Sequence, residues 1–477
     1  MKPVNQVIRK NKLPVKILQY GGGNFLRGFA QYMIDVANEK QLFGGSVQIV
    51  KATASGSSFE ALKAQDCVYT LVLRGRRGGA VYLEKRIITC LAGVCSAYDE
   101  YGAYAEFAKS PELRFILSNT TESGIVFDQS DRIEMEPPNS YPGKLTKFLY
   151  ERFQHFDGAQ DKGLIILPTE LIEKNGGTLK EYCLKLAALW ALPAAFASWL
   201  TGCNTFCNTL VDRIVTGYPK DDAQALEGEL GYSDKFLLAG EPFAFWAIES
   251  DDPAAIAREL PLDKAGLPVV FSRDIQPYKE RKVRLLNGAH TSSVFAAYLS
   301  GLETVGDMMK DPLMRKFLEA AVFDEIAPMV PLPADEVKSF ADSIIERFEN
   351  PFIRHNLLSI TLNSVSKFKA RLLPTILETQ AKTGVLPKLL CFTLASLIAF
   401  YRGSGEDCQA VDDAAVLDFF AENNALPEGQ IVQAFLRRAD FWGQDLTWVP
   451  GLADAVTGGL ESIRGNGMRG AVERALG

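Results

Sequence analysis

The sequence is short of everything that would announce a metal centre, a membrane segment or a nucleic-acid surface. Its eight cysteines include no Cys-x-x-Cys pair. Cys203 and Cys207 stand four apart, and no histidine or second cysteine pair lies near enough to complete a zinc set. Free thiols in a reducing cytoplasm are therefore expected, and no metal. Positive charge is not in excess: 51 Lys and Arg face 58 Asp and Glu, a formal net charge of −7. With both signs interspersed, the chain offers no broad field to nucleic acid or to an anionic membrane. Residues 1–6 carry no apolar run behind Lys2, so no signal peptide is expected there. Of the two most apolar stretches, residues 389–400 are too short to span a bilayer. The other, 184–200, contains Lys185 and is broken by Pro193. Both read as buried helices. Repeats and low-complexity tracts are missing too.

What is present is an ordinary globular composition, 47% hydrophobic and 23% charged, in 477 residues, too long for one core. In the first half, short β-branched runs alternate with helical stretches. Residues 15–19 predict a strand, Gly21-Gly22-Gly23 a turn, and residues 25–38 a helix with Phe25, Phe29, Tyr32, Met33 and Val36 on one side. Residues 47–50 predict a second strand, which makes the series the opening of a βαβ unit. Further strands are expected at 114–118 and 163–168, with an inserted hairpin of 68–73 and 80–88. From about residue 275 the strand signals stop. Helical periodicity then runs on, jointed at Pro312, Pro328, Pro351, Pro374 and Gly384. The expectation is an α/β chain: a parallel sheet of Rossmann type with insertions over residues 1–275, then a mainly α-helical domain over 276–477. Ligands of such sheets gather at the carboxyl ends of the strands, here 21–27, 53–58, 119–124 and 169–175.

The glycine turn stands where a dinucleotide-binding turn should stand, at the start of a helix where backbone N–H groups can approach pyrophosphate. Its fingerprint is incomplete, because position 26 is leucine. No acid follows the second strand to take a ribose hydroxyl; Lys51, Ala52 and Thr53 come after Val50, and Lys51 would suit a 2′-phosphate. A plain turn and a cofactor seat both remain open at this point.

The sharpest constellation is Lys282, Asn287 and His290. On an α-helix these project within an arc of roughly 140° and can face one cleft. Ketone reduction needs a proton donor at the carbonyl oxygen, and a lysine depressed by burial and by neighbouring cations such as Arg281 and Arg284 can supply it. An Asn amide and a His N–H can hold the same oxygen. The alternative is a solvated basic helix start with a core histidine. Against it, residues 285–290 place an amide, a glycine and an imidazole together in an apolar helix.

Lys-x4-Asn-x2-His resembles the active-site helix of the polyol-specific long-chain dehydrogenases, a family that includes mannitol dehydrogenases and hexuronate reductases. The resemblance continues in Gly-x-Gly-x-Phe-x-Arg (Gly21, Gly23, Phe25, Arg27), Thr121-Glu122-Ser123-Gly124 and Asn208-Thr-Leu-Val-Asp212-Arg213. Arg347-Phe-x-Asn350-Pro351 and Lys367 extend it over nearly the whole chain. It is closest to the hexuronate-reductase branch. The resemblance implies NAD as cofactor, seated on Gly21, Gly23, Asn24, Phe25, Arg27 and Asn119, and a small sugar acid as substrate. By the same resemblance Lys282 is the acid/base, Asn287 and His290 orient the carbonyl, Glu122 passes the proton to solvent, and Lys367 holds substrate.

Two positions depart from the mannitol-dehydrogenase pattern. Glu170-Leu171 replaces an Asp-Asn pair ahead of Asn175-Gly176, and Ser359 replaces an arginine eight residues before Lys367. Both point to a rebuilt pocket in which Lys367, with Arg354 or His355, pairs with a carboxylate. Glu170 reads as either a strand-end cap or a cleft residue. Asp212–Arg213 reads as a structural ion pair, Asn350-Pro351 as a helix cap and joint, and His155 as a surface residue. An epimeric ketouronate, a neutral polyol, an epimerase that keeps its NAD and a non-catalytic sensor stay open, as does the oligomeric state.

Overall fold

Runs that are apolar at consecutive positions must be covered on both faces, and this dictates a parallel sheet with helices on either side. In the computed structural model, which describes residues 1–54, 59–120, 124–403 and 410–477, the first such strands are β1 (Val15–Tyr20) and β2 (Ser46–Lys51). They are followed by β3 (Tyr69–Arg77), β4 (Ala80–Ile88), β5 (Leu91–Ser96), β6 (Phe115–Ser118), β7 (Ile165–Pro168) and β8 (Thr205–Phe206). The order β5-β2-β1-β6-β7-β8, parallel throughout, is that of a dinucleotide-binding sheet. The order reverses between β1 and β6, and a crevice is expected beyond their carboxyl ends. Neighbours along β1 serve opposite layers. Ile17 packs with Phe29, Met33 and Ile49, whereas Leu18 packs with Val50, Ile116 and Phe148.

Further short strands follow, among them β9 (Asn208–Asp212), β10 (Val215–Gly217), β11 (Leu238–Gly240), β12 (Phe245–Glu249) and β13 (Val269–Ser272). The hairpin β3/β4 is extended by β11 and β10 into a four-stranded sheet, and β9, β12 and β13 form a third. These late strands are three to five residues long and carry no clear alternation, so periodicity does not find them.

The helix expected over 25–38 is two helices, α1 (Asn24–Gly28) and α2 (Ala30–Glu39). The break falls at Phe29, with φ −120° and ψ −81°, whose ring stacks on Phe25 and tilts against Trp246. Gly28 explains the tightness there: a Cβ on it would lie 2.8 Å from both methyls of Val215. The close helix–sheet packing that the usual third glycine provides is thus supplied two residues later. Two further helices, α3 (Tyr141–His155) and α4 (Asn175–Leu189), follow β6 and β7. Arg213 gives its donors to the carbonyls of Gly28, Pro242 and Phe243, and His155 is exposed at the end of α3.

The chain divides into two compact units, Met1–Arg74 with Val81–Ile275, and Gly75–Ala80 with Gln276–Gly477. The second is helical. Its first rod runs through α5 (Gln276–Arg281), a π-helical segment (Lys282–Asn287) and α6 (Gly288–Leu299). Then come α7 (Pro312–Ala320), α8 (Ala334–Phe348), α9 (Ser364–Arg371), α10 (Leu373–Thr383), α11 (Lys388–Arg402) and α12 (Leu452–Leu476). Apolar nearly all round, α6 and α11 pack together as the centre of this unit. Asn350, two residues past α8, accepts from the Phe352 N–H and closes the joint. Among the described residues no helix is long and apolar enough to cross a membrane.

Candidate active site

At the carboxyl end of β1 the backbone must turn sharply, and Gly21 does so at φ +97°, a region open to glycine. Its N–H donates to the Val50 carbonyl, and a Cβ there would lie 2.7 Å from the Asn119 carbonyl oxygen. Gly22 is shut in by the Phe59 ring. Gly23, at φ −62°, has no atom of the described residues within 4 Å of where its Cβ would be, so among these its face of the turn is open. Asn119 is held across the crevice from β6, donating to the Thr169 carbonyl at 3.2 Å and to Thr169 Oγ1 at 3.0 Å. Arg27 does not reach that open face. It is buried, donates to Asn24 Oδ1 at 2.6 Å and lies over the rings of Tyr69 and Phe236. Its place is that of a brace fixing Asn24 and α1.

Carboxylates stand beside Lys51 from just past the end of β5. A cleft of about 310 Å³ is lined by Lys51, Phe59, Lys63, Ser96, Asp99 and Glu100. Asp99 accepts from Ser96 Oγ at 2.6 Å, and Glu100 pairs with Lys63 at 3.7 Å. Sequence reasoning looked only at the strand's own end, while the carboxylates lie 48 and 49 residues on from Lys51 (99 − 51 and 100 − 51).

In the second unit, Lys282 opens the π segment and Asn287 closes it, both half-buried. The Gly288 N–H reaches back five residues to the Val283 carbonyl, so the arc calculated for a regular α-helix does not apply here. Gly288 lets the rod sit close to its neighbours, since a Cβ would lie 3.2 Å from Leu372. Such one-turn widenings recur at functional positions. The cation expected from Arg284 is neutralised: it pairs with both oxygens of Glu378 at 2.6 and 2.7 Å, with Glu280 at 3.6 Å. Arg281 is buried over the Phe340 ring.

The His290 ring stacks on Phe348, centroids 4.1 Å apart, and meets His355 edge-on at 5.1 Å. Its Nδ1 is buried and has no hydrogen-bond partner among the described residues. Burial, then the positive groups His355, Arg347, Arg371 and Lys367, hold its pKa well below the usual imidazole range. A neutral imidazole keeps one N–H to donate and one nitrogen to accept.

A histidine buried neutral resists protonation only in the folded state. Its contribution to stability is complete above the unfolded value of about 6.5 and is lost as pH falls below it. Thermal unfolding from pH 7.5 to pH 5 should therefore fall more steeply for the wild type than for His290→Gln. His355, also depressed by burial, persists in both proteins. Identical slopes would show that His290 is not held neutral.

Lys367 donates to the Ile360 carbonyl at 3.0 Å, and burial and Arg371 lower its pKa. Of the two residues expected to assist it, His355 faces His290. Arg354 is exposed, 3.7 Å from Glu303, on a separate cleft of about 850 Å³ shared with Thr304, Asp307 and Arg315. Ser359 is likewise exposed and bonds to the Asn356 carbonyl. Glu170, in the first unit, is buried and accepts from Ser118 Oγ at 3.0 Å and from the N–H and Oγ1 of Thr120 at 2.9 Å each. It clamps the loop that leads to 121–123. Glu122 lies outside the described residues. Arg371, which sequence reading passed over, stands one helical turn from Lys367, and that four-residue spacing was the signal available.

Over residues 15–264 the chain matches the mannitol dehydrogenase Rossmann domain, and over residues 274–464 the mannitol dehydrogenase C-terminal domain. The chain belongs to the mannitol dehydrogenase family. Within the family it is 47% identical over 468 residues, 96% of each chain, to the altronate oxidoreductase of Cronobacter sakazakii. It is 46% identical, again over 96% of each chain, to that of Escherichia coli O7:K1. Among solved structures it is similar to Pseudomonas fluorescens mannitol 2-dehydrogenase in ternary complex with NAD and D-mannitol, with a TM-score of 0.67 and 23% identity. That match covers 97% of this chain and 94% of the other. A D-sorbitol dehydrogenase in substrate-free form aligns with a TM-score of 0.78 at 22% identity, over 96% and 95% of the two chains. At these identities the family fold is what the two structures share with this chain.

Proposed function

We propose that this chain is an NAD-dependent oxidoreductase that reduces the keto group of tagaturonate to give altronate, and runs reversibly. The observation that carries this is kinship at 46–47% identity over 96% of the chain with altronate oxidoreductases. The open face at Gly23, at the reversal of strand order, fits a dinucleotide. Asp99 and Glu100 beside Lys51 fit an unphosphorylated ribose better than a 2′-phosphate, which supports NAD.

When bound, NADH supplies the hydride. The chain's own residues then have to hold the carbonyl and manage one proton. Lys282 is the acid in reduction and the base in oxidation, giving its proton to the oxygen that becomes a hydroxyl. Asn287 and the neutral His290 donate hydrogen bonds to that oxygen, and Phe348 fixes the imidazole plane. Lys367 holds the far end of the substrate, and Glu170 fixes Thr120, which precedes Glu122 in the sequence by two residues. The reading places the enzyme in the cytoplasm, where NADH is supplied.

The test is NADH absorbance with purified protein and, separately, tagaturonate, fructuronate and fructose, each repeated with NADPH. Rapid NADH loss with tagaturonate and slow loss with the others is expected. A preference for fructuronate or fructose would move the enzyme to a sister activity, and product without net NADH change would make it an epimerase.

A further inference from the structure

The substrate proposed above carries one group that the hydride and proton chemistry does not use, its carboxylate. Among the described residues several arginines of the second unit have carboxylate partners. Arg284 has Glu378, Arg315 has Glu349 at 2.6 Å and Glu319 at 2.8 Å, and Arg469 has Asp311 at 2.7 Å. Even the exposed Arg354 has Glu303. Arg371 breaks the pattern. It is half-buried at the end of α9, and among the described residues its one hydrogen bond is from Nη1 to Thr291 Oγ1, at 3.1 Å. No carboxylate there pairs with it. A guanidinium has five N–H donors and loses hydration on burial, so one neutral acceptor leaves most of its demand unmet.

The placement of Arg371 gives that demand a direction. Thr291 follows His290 in α6, so the bond fixes the guanidinium beside the imidazole. Lys367 precedes Arg371 by one turn on the same face of α9, which packs on both α6 and the π segment that carries Lys282 and Asn287. Among the described residues the acid near Lys367 is Asp412, which accepts from the Tyr401 hydroxyl and the Val365 N–H. The buried Nδ1 of His290, without a partner among the described residues, faces the same group of cations. Two cations on one helix face, one with no anion of its own among the described residues, beside the imidazole proposed to hold the carbonyl, form a receptor for a small anion attached to a ketone.

We infer that Arg371, together with Lys367, seats the carboxylate of the substrate and makes the enzyme choose a sugar acid over the neutral ketose. This rests on the function proposed above. A planar guanidinium can take a carboxylate through two parallel hydrogen bonds, whereas Lys367 supplies a point charge.

The experiment uses the full-length protein with Arg371→Gln and Arg371→Lys. For each, kcat and KM are measured at saturating NADH with tagaturonate and with its neutral analogue tagatose. Arg371→Gln should lower kcat/KM for tagaturonate by about 10- to 100-fold, mainly through KM, the size of a charge-assisted hydrogen bond. Tagatose should change by less than about threefold, and Arg371→Lys should recover part of the loss, as only the bidentate geometry is gone. Equal losses on both substrates would overturn the inference, because Arg371 would then only be supporting α6 through Thr291. No loss on either would overturn it as well.

The wild type separates this result from the reading beneath it. If it reduced fructuronate and not tagaturonate, the substrate assignment would fail. The same charged-against-neutral comparison, made with fructuronate and fructose, would still decide on Arg371. A wild type that preferred a neutral ketose to both uronates would overturn the inference directly.

Discussion

Lys282→Met is expected to slow turnover of tagaturonate about a hundred- to ten-thousand-fold, the range supplied by a positioned acid/base. Methionine keeps an unbranched apolar stem of similar reach and removes the ammonium, so the π segment should keep its packing. The loss should fall on kcat and on kcat/KM together, because the proton is needed in the transition state and not for binding. NADH titrated by fluorescence should bind the variant with unchanged affinity, since the proposed cofactor seat belongs to the first unit and Lys282 to the second. The pH profile sharpens the test. In the wild type the oxidation of altronate needs the neutral amine and should rise with pH. In the variant that limb should vanish. A kcat within tenfold of the wild type would remove Lys282 from the chemistry and leave Asn287 and His290 as a binding pair.

Much of the architecture could be read from the residues because it depends on local pattern. The strands expected at 15–19, 47–50, 114–118 and 163–168 became β1, β2, β6 and β7. The parts that could not be read depend on partners distant in sequence. Arg284 seemed available to depress Lys282, yet its charge is cancelled by Glu378, 94 residues away. An acid was sought directly after β2, whereas Asp99 and Glu100 line the cleft beside Lys51 from just past the end of β5. Spacing also cannot tell an α-turn from a π-turn. Lys282, Asn287 and His290 were found as a set, but the wider turn between the first two depends on a backbone bond from Gly288 and on its packing against Leu372. Arg354 and His355 are adjacent in sequence, and the chain direction past the Asn350 joint sends only the second toward His290.

The glycine turn yields the other large effect, and here two glycines two residues apart should fail in different ways. Gly21→Ala puts a side chain at φ +97° with its Cβ 2.7 Å from a backbone carbonyl, which cannot yield as a side chain would. Strain of about 1–3 kcal/mol and overpacking of about 1–3 kcal/mol should lower the melting temperature whether or not NADH is present. Gly23→Ala meets neither obstacle. Its φ of −62° suits alanine and no atom of the described residues lies within 4 Å, so the apo protein should melt at the wild-type temperature or slightly above it. The new methyl would occupy the open face against which we place the pyrophosphate. NADH affinity should then fall about 10- to 100-fold, the cost of an overpacked contact, and NADH should lose its ability to raise the melting temperature. If Gly23→Ala instead bound NADH like the wild type, the turn would be a turn only. The dinucleotide would have to be sought elsewhere along the carboxyl edge of the sheet, beginning with the Asp99–Glu100 cleft.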